Sequence, residues 1–151
     1  MKKMALVIVI GLACAACQSV DASGSNSKTP LGQLVAAKAQ QHNVPTALAH
    51  AIVTKESGYN PRAVSRGNYG LGQIRCSTAR GLGFTGSCRD LLDPNINLTY
   101  SMSYLREALD KSRGDWCKAA TLYNRGINAT PRSSAYCRQI IQLTRSHTVL
   151  Q

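Results

Sequence analysis

Glu56 is the carboxylate in this chain whose placement best suits acid–base chemistry. It lies near the end of Pro45–Ser57, a stretch in which Leu48, Ala49, Ile52 and Val53 recur at helical spacing. At 3.6 residues per turn, 48, 52 and 56 stack on one face, with 49 and 53 beside them. The face that packs inward therefore carries a carboxyl group. The chain then breaks at Ser57-Gly58-Tyr59-Asn60-Pro61. A buried carboxyl at a helix end, opening onto a turn, keeps its proton to higher pH and stays within reach of a ligand. Those are the requirements of a general acid. A glutamate that snorkels or pairs with an arginine is the structural reading of the same residue. The remaining carboxylates beyond the first 22 residues are Asp90, Asp93, Glu107, Asp110 and Asp115. Asp93 and Asp115 sit where helix caps are expected. Glu107 and Asp110 fall on the polar side of a helix rich in Lys and Arg, and Asp90 lies in a basic loop. None is an evident partner for Glu56. His42, His50 and His147 are dispersed and make no cluster, and no triad with a serine. Metal-ion and nucleotide motifs are absent, so no cofactor and no metal ligand set is expected.

The elements that position Glu56 are helical. Leu31–His42 reads as a first helix, with Leu34, Val35 and Ala39 on one side. Pro45 suits the first turn of the second. The segment 62–86 is glycine-rich, with one short helix around Cys76–Arg80. Asp93-Pro94 opens a long helix bearing Leu98, Met102, Leu105 and Leu109. Asp115 caps a helix through Trp116, Ala119, Ala120 and Tyr123. Thr130-Pro131 opens the last, with Tyr136, Ile140 and Leu143. No stretch alternates as a strand would, so the fold class is all or mostly α.

With 151 residues, the chain has room for one compact domain. Residues 1–22 read as a leader: Lys2-Lys3, then an apolar stretch Met4–Cys17 too short to span a membrane. Val20-Asp21-Ala22 fits a signal-peptidase site, while Cys14 and Cys17 are candidate lipid-anchor positions. The mature protein is expected in the periplasm or cell envelope, free or membrane-anchored as a lipoprotein. Residues 23–30 read as a linker, 31–145 as the domain and 146–151 as a C-terminal tail. Four cysteines remain in the mature part, Cys76, Cys88, Cys117 and Cys137, an even number in an oxidising compartment. Three pairings exist; Cys76–Cys88 with Cys117–Cys137 is favoured, the first closing a loop and the second tying two late helices. Zinc does not suit the spacings. Cys14-Ala15-Ala16-Cys17 has thioredoxin spacing but sits in the leader. Without residues 1–22 the chain keeps 16 basic and 6 acidic residues, a net charge of +10. An exported cation of this kind fits an anionic partner. Nucleic acid fits the charge but not the compartment, and the basic residues form no stripe.

Five ordered segments carry a family resemblance. They are Glu56-Ser57-Gly58-Tyr59-Asn60-Pro61-Arg62-Ala63-Val64-Ser65, then Gly67–Ile74 followed by Ser77-Thr78-Ala79, Leu92–Asn97, Ala120–Gly126 and Ser134–Cys137. This chain resembles the soluble lytic transglycosylase (SLT) family, related to goose-type lysozymes, over roughly residues 31–143. The resemblance implies a lysozyme-like fold. It departs from the family at Gly72, where Met is usual, at Cys76 for a frequent Pro and at Arg125 for a small residue. The turn between Ser65 and Gly70 is also a residue shorter. Gly72 removes a side chain that would touch sugar.

What the resemblance implies is cleavage of the β-1,4 bond between N-acetylmuramic acid and N-acetylglucosamine in peptidoglycan, with a 1,6-anhydro product and no water consumed. Glu56 would act as acid, then base, and the substrate's N-acetyl group would stabilise the cationic centre. The short carboxylate inventory agrees with one acid serving twice. By position, Ser57 would orient the acid, Ser65 would hydrogen-bond near it, and Gln73 would offer an amide to the sugar. Tyr123 and Asn124 would face the catalytic sugar. Tyr136 reads first as a core aromatic, and by resemblance as the family's closing tyrosine. The partner implied is the peptidoglycan strand, with nucleic acid excluded by compartment; an envelope-spanning secretion or pilus apparatus enters by analogy only. A hydrolytic muramidase on the same scaffold and a non-catalytic peptidoglycan-binding protein are the competing readings.

Overall fold

The structure is a computed structural model that describes residues 28–130 and 134–148. The leader, its signal-peptidase and lipid-anchor positions, most of the 23–30 linker and Pro131 lie outside the described residues.

Six α-helices and a small three-stranded sheet make up the described chain. Helix α1, Pro30–Gln41, starts with Pro30 in its first turn and with Thr29 Oγ1 accepting from the Gly32 N–H at 3.1 Å. Helix α2, Thr46–Ser57, is capped by Pro45 and stopped by Gly58, whose φ of 57° is left-handed. Leu48, Ala49, Ala51, Ile52 and Val53 of α2 are all fully buried. Burying each of the larger ones contributes about 1.5–3 kcal/mol. That packing fixes the axis on which Glu56 rides.

Helix α3, Cys76–Gly81, is the short helix expected near Cys76. Helix α4, Pro94–Lys111, is capped by Asp93, whose Oδ1 accepts from the Ile96 N–H at 3.0 Å. Leu98, Met102, Leu105 and Leu109 are its buried stripe. Helix α5, Trp116–Arg125, is capped by Asp115, which accepts from the Lys118 N–H at 3.0 Å. Helix α6 spans Ala135–Thr148, so the last helix starts several residues after Thr130-Pro131. The Ser134 hydroxyl accepts from the Cys137 N–H at 3.1 Å and so supplies the start signal. The helix also runs past residue 145, and His147 within it is buried, so 146–148 are helix rather than tail. One core joins α1, α2, α4, α5 and α6, with α6 lying along α2. No helix among the described residues is long and apolar enough to cross a membrane.

Two features were not expected from the sequence. Strands β1 (Val64–Ser65), β2 (Asn68–Tyr69) and β3 (Ile74–Arg75) pair antiparallel in the order β1-β2-β3. Arg66 and Gly67 link β1 to β2 with φ of 51° and 79°. Positive φ at both central residues is the two-residue hairpin geometry that matches strand twist. Two-residue strands are too short to alternate legibly. A 3-10 helix, Cys88–Leu92, follows α3, and Asp90 closes its capping box with Ser87 rather than lying in an unstructured loop. Both favoured disulfides are present: Cys76–Cys88, with Cα atoms 5.3 Å apart, and Cys117–Cys137, at 4.9 Å. The first ties α3 to the 3-10 helix and the second ties α5 to α6, each worth about 2–4 kcal/mol.

The expectation that the histidines stay apart fails for two of them. His50 of α2 and His147 of α6 stack with ring centroids 5.3 Å apart. His50 Nδ1 also shares a hydrogen bond with the Tyr59 hydroxyl. Ninety-seven residues separate the pair in the chain, and only the α2–α6 packing brings them together.

Candidate active site

Glu56 lies one residue before the end of α2, half-buried, in the turn beyond Ile52 and Val53. The Tyr136 hydroxyl, from the first turn of α6, donates to Glu56 Oε1 at 2.5 Å. Burial raises the Glu56 pKa above its ordinary 4.5; the Tyr136 hydrogen bond and the nearby Lys55 charge oppose that rise without cancelling it. No arginine pairs with Glu56, and the three ion pairs among the described residues are Arg106–Asp110, Lys111–Glu107 and Lys118–Asp115. The two phenols near Glu56 are held firmly protonated. Burial pushes the Tyr136 pKa up, and the Glu56 charge and hydrogen bond push it further. Burial and then the Glu56 charge do the same for Tyr123.

Tyr123, in the last turns of α5, is buried and donates to the Gly72 carbonyl at 2.7 Å. It also lines a cleft of about 350 Å³ together with Gln73, Tyr104 and Ser77. Glu56 is not among the lining residues; Tyr123, within reach of the Glu56 charge, joins the carboxyl to the cleft wall. Tyr123 is thus a core ring that also lines the cleft.

The turn that carries Gln73 is shaped by one amide. Asn97, fully buried in the first turns of α4, accepts from the Gly72 N–H at 2.8 Å and from Ser101 Oγ at 3.2 Å. Its Nδ2 donates to the Tyr69 carbonyl at 2.7 Å and the Leu91 carbonyl at 2.8 Å. Gln73, at φ 47°, donates its own amide to the Ala63 and Gly70 carbonyls, each at 3.0 Å. That leaves its Oε1 as the group to offer a ligand. A Cβ at Gly72 would stand 2.2 Å from Ser101 Oγ and 2.9 Å from the Tyr123 hydroxyl. The departure at 72 is therefore a packing solution: glycine lets the turn press against α4 and receive the Tyr123 hydrogen bond. A Met here would first meet Ser101, not sugar.

Of the other expected site residues, Ser57 donates its hydroxyl to the Val53 carbonyl at 3.2 Å, within its own helix, rather than to Glu56. Ser65 is exposed on β1, and Asn124 is exposed at the end of α5. The structure thus brings Glu56, Tyr136 and Tyr123 together, sets Gln73 on the cleft and leaves Ser57, Ser65 and Asn124 outside those contacts. Asn97, Ser101 and Tyr104 were missed. They stand at i, i+4 and i+7 of α4, and polar groups in register on one face of a helix are a readable signal. The Tyr104 hydroxyl accepts from the Ile127 N–H at 3.1 Å, and its ring packs on Tyr123 with centroids 5.4 Å apart.

Residues 33–142 match the protein family described as Transglycosylase SLT domain. A 97-residue stretch, 64% of the chain, is 35% identical to a protein described as a transglycosylase from Enterobacteria phage PRD1. It covers 35% of that protein, so the chain spans about a third of the length of the curated relative it matches. Among solved structures, the 70-kDa soluble lytic transglycosylase in complex with bulgecin A is similar with a TM-score of 0.59 and 25% identity, over 78% of this chain and 19% of that one. The 70-kDa soluble lytic transglycosylase of Escherichia coli gives 0.58 and 24%, over 76% and 19%. An inactive glutamate-to-glutamine mutant of the lytic transglycosylase Slt from Pseudomonas aeruginosa gives 0.58 and 21%, over 79% and 22%. These last two likenesses establish the lysozyme-like fold.

Proposed function

Because the chain belongs to the Transglycosylase SLT domain family, we propose that it is a peptidoglycan lytic transglycosylase with Glu56 as its single acid–base residue. One observation supports this most: a carboxyl with a raised pKa stands on an apolar helix face, held by Tyr136, and its charge reaches Tyr123 of the cleft wall. In the proposed cycle, protonated Glu56 gives its proton to the glycosidic oxygen between N-acetylmuramic acid and N-acetylglucosamine. The bond from the muramic C1 to that oxygen breaks, and the substrate's N-acetyl oxygen bonds to C1 in its place. The Glu56 carboxylate then takes the proton of the muramic C6 hydroxyl. O6 displaces the acetyl oxygen at C1, the 1,6-anhydro ring closes and Glu56 is again protonated. No water is consumed.

The surroundings of Glu56 serve both halves of this cycle. Burial favours the protonated acid, and the Tyr136 hydrogen bond stabilises the carboxylate between the two transfers. Gln73 Oε1 and the exposed Ser65 and Asn124 are assigned to sugar hydroxyls and N-acetyl groups along the strand. Tyr123 is assigned to the wall beside the reacting sugar. Ser57 is retained only as support for the helix end. The reading carries with it export, by residues 1–22, to the envelope where the strands lie.

Mass spectrometry of muropeptides released from purified sacculi tests the proposal. Anhydro products are expected. Products heavier by one water would make the protein a hydrolytic muramidase, and binding without release would make it a non-catalytic wall protein.

A further inference from the structure

The cleft walls carry two cations and no carboxylate. Arg75, on β3, and Arg125, the last residue of α5, both line it; the other lining residues are neutral, among them Asn68, Gln73 and Thr78. Neither arginine takes part in an ion pair among the described residues. Both side chains are exposed. Arg75 donates through Nε to Asn68 Oδ1 at 3.3 Å, which orients the guanidinium and leaves its two terminal nitrogens unpaired. The Arg125 guanidinium, exposed at the end of α5, has no hydrogen-bond partner among the described residues. A planar guanidinium with free terminal N–H groups matches a carboxylate with two parallel hydrogen bonds. Two such groups in one cleft without a balancing acid leave a local positive field that favours an anionic ligand.

We propose that Arg75 and Arg125 form a carboxylate-binding subsite that selects strands by their charge. This rests on the proposed reading of the cleft as the place where the glycan lies. A peptidoglycan strand offers carboxylates of two sources. Stem peptides carry them where peptides are attached. Peptide-free muramic acid exposes the carboxylate of its lactyl group. The subsite chemistry is the same for both, and the substrates below separate them.

The test uses the mature protein and three substrates: native sacculi, strands stripped of stem peptides by an amidase, and sacculi whose carboxyls are converted to neutral amides with carbodiimide and methylamine. The readout is the ratio of kcat/KM on each charged substrate to that on the neutral one. Wild type is expected to prefer a charged substrate. Arg75→Gln and Arg125→Gln should each lower that ratio about tenfold, equivalent to about 1.4 kcal/mol. Arg113→Gln, which removes the same charge from the exposed turn after α4, should leave the ratio as in wild type. A loss confined to native sacculi assigns the subsite to stem peptides, and a loss confined to stripped strands assigns it to the lactyl group. A ratio that Arg75→Gln and Arg125→Gln leave unchanged, or that Arg113→Gln lowers equally, overturns the proposal. Should none of the substrates be cleaved, the lytic reading fails separately. Co-sedimentation of Glu56→Gln, alone and combined with each arginine variant, then reads the charge preference without turnover. Equal binding of native and neutral sacculi would refute the subsite there too.

Discussion

Glu56 and Gln73 stand in regions built by different physics. Glu56 rides on α2, where five consecutive or near-consecutive apolar side chains are fully buried and any one of them shares the work of placing the helix with its neighbours. Gln73 sits in a turn between two-residue strands, where the backbone adopts positive φ at Gly70 and at Gln73 itself. That turn is fastened to α4 through the single side chain of Asn97. Apolar packing is redundant and non-directional. A hydrogen-bonded turn depends on a few directed contacts, each expensive to leave unmade. The helical region should therefore tolerate loss of its chemical group without loss of fold, while the turn should fail when one amide is removed.

The largest expected effect tests the first half of that contrast. Glu56→Gln should reduce muropeptide release by about 10²–10⁴-fold, the usual contribution of a general acid–base group. The fold should not weaken at neutral pH. A raised carboxyl pKa means that the folded state favours the protonated form. The stability this provides is present below the ordinary value of 4.5 and is lost as pH rises through the raised value. Above that raised value the wild-type carboxylate is therefore a burden that Gln lacks. The melting temperature of Glu56→Gln should equal or exceed that of wild type there, and a clear drop would show that Glu56 holds the helix end together.

The second half is tested at Asn97. Asn97→Leu keeps the volume but orphans the Gly72 N–H and the Tyr69 and Leu91 carbonyls. Each buried unpaired group costs about 1–3 kcal/mol, which together is a large part of a typical domain's 5–15 kcal/mol. Melting temperature should fall steeply, and limited proteolysis should cut first within 64–75. Loss of no more than about 0.5 kcal/mol, the size of an ordinary surface change, would mean that the turn is held by something other than Asn97.

The same contrast decides what the sequence made legible. Apolar periodicity, proline and capping aspartates predicted the helices and placed Glu56 on a buried face, because those signals are local. Cysteine positions left three pairings open, and the favoured one is the one present. The sheet escaped because its strands are two residues long and its hairpin turns on φ rather than on side-chain pattern. The Tyr136–Glu56 contact spans 80 residues. The stripe on α6 could say that Tyr136 faces inward, but not what it would meet. Ser57 misled for the opposite reason: adjacency in sequence to Glu56 says nothing about which way its hydroxyl turns, and it bonds the Val53 carbonyl. Gly72 looked like a lost sugar contact until Ser101 was seen to occupy the space of its missing Cβ.

A smaller effect sharpens the account of the helical side. Tyr136→Phe removes the hydrogen bond that lowers the Glu56 pKa and leaves the burial that raises it. The Glu56 transition in the pH–activity profile should move upward. Turnover should fall about tenfold, at the lower end of the 1.5–3 kcal/mol typical of a hydrogen bond to a charged group. An unmoved profile would make the Tyr136 hydroxyl irrelevant to the acid.

The smallest effect lies further along the same α2–α6 seam, at His50 and His147. The His50 pKa is lowered from 6.5 to about 4, first by burial and then by the neighbouring His147. His147 is also shifted down by burial. Their facing groups are each other, the Tyr59 phenol and the Thr54 hydroxyl; His147 Nδ1 is buried without a hydrogen-bond partner. A protonated ring would need an acceptor at both nitrogens, and none stands at that Nδ1. Between about pH 4 and 6.5 the unfolded chain therefore binds a proton at His50 that the folded chain refuses. Stability from this site is complete above 6.5 and declines as pH falls toward 4. The Glu56 term runs the other way over part of that range, so the comparison must be between proteins that share it. His50→Phe keeps the ring but removes one of the Tyr59 hydroxyl's partners, leaving Thr54, and this offsets the melting temperature by an amount independent of pH. Against that offset, melting temperature should fall more steeply with acidification from pH 6.5 to 4 in wild type than in His50→Phe. Parallel curves would show that the histidine pair stays uncharged, or becomes charged without strain, and that the seam between α2 and α6 does not sense pH.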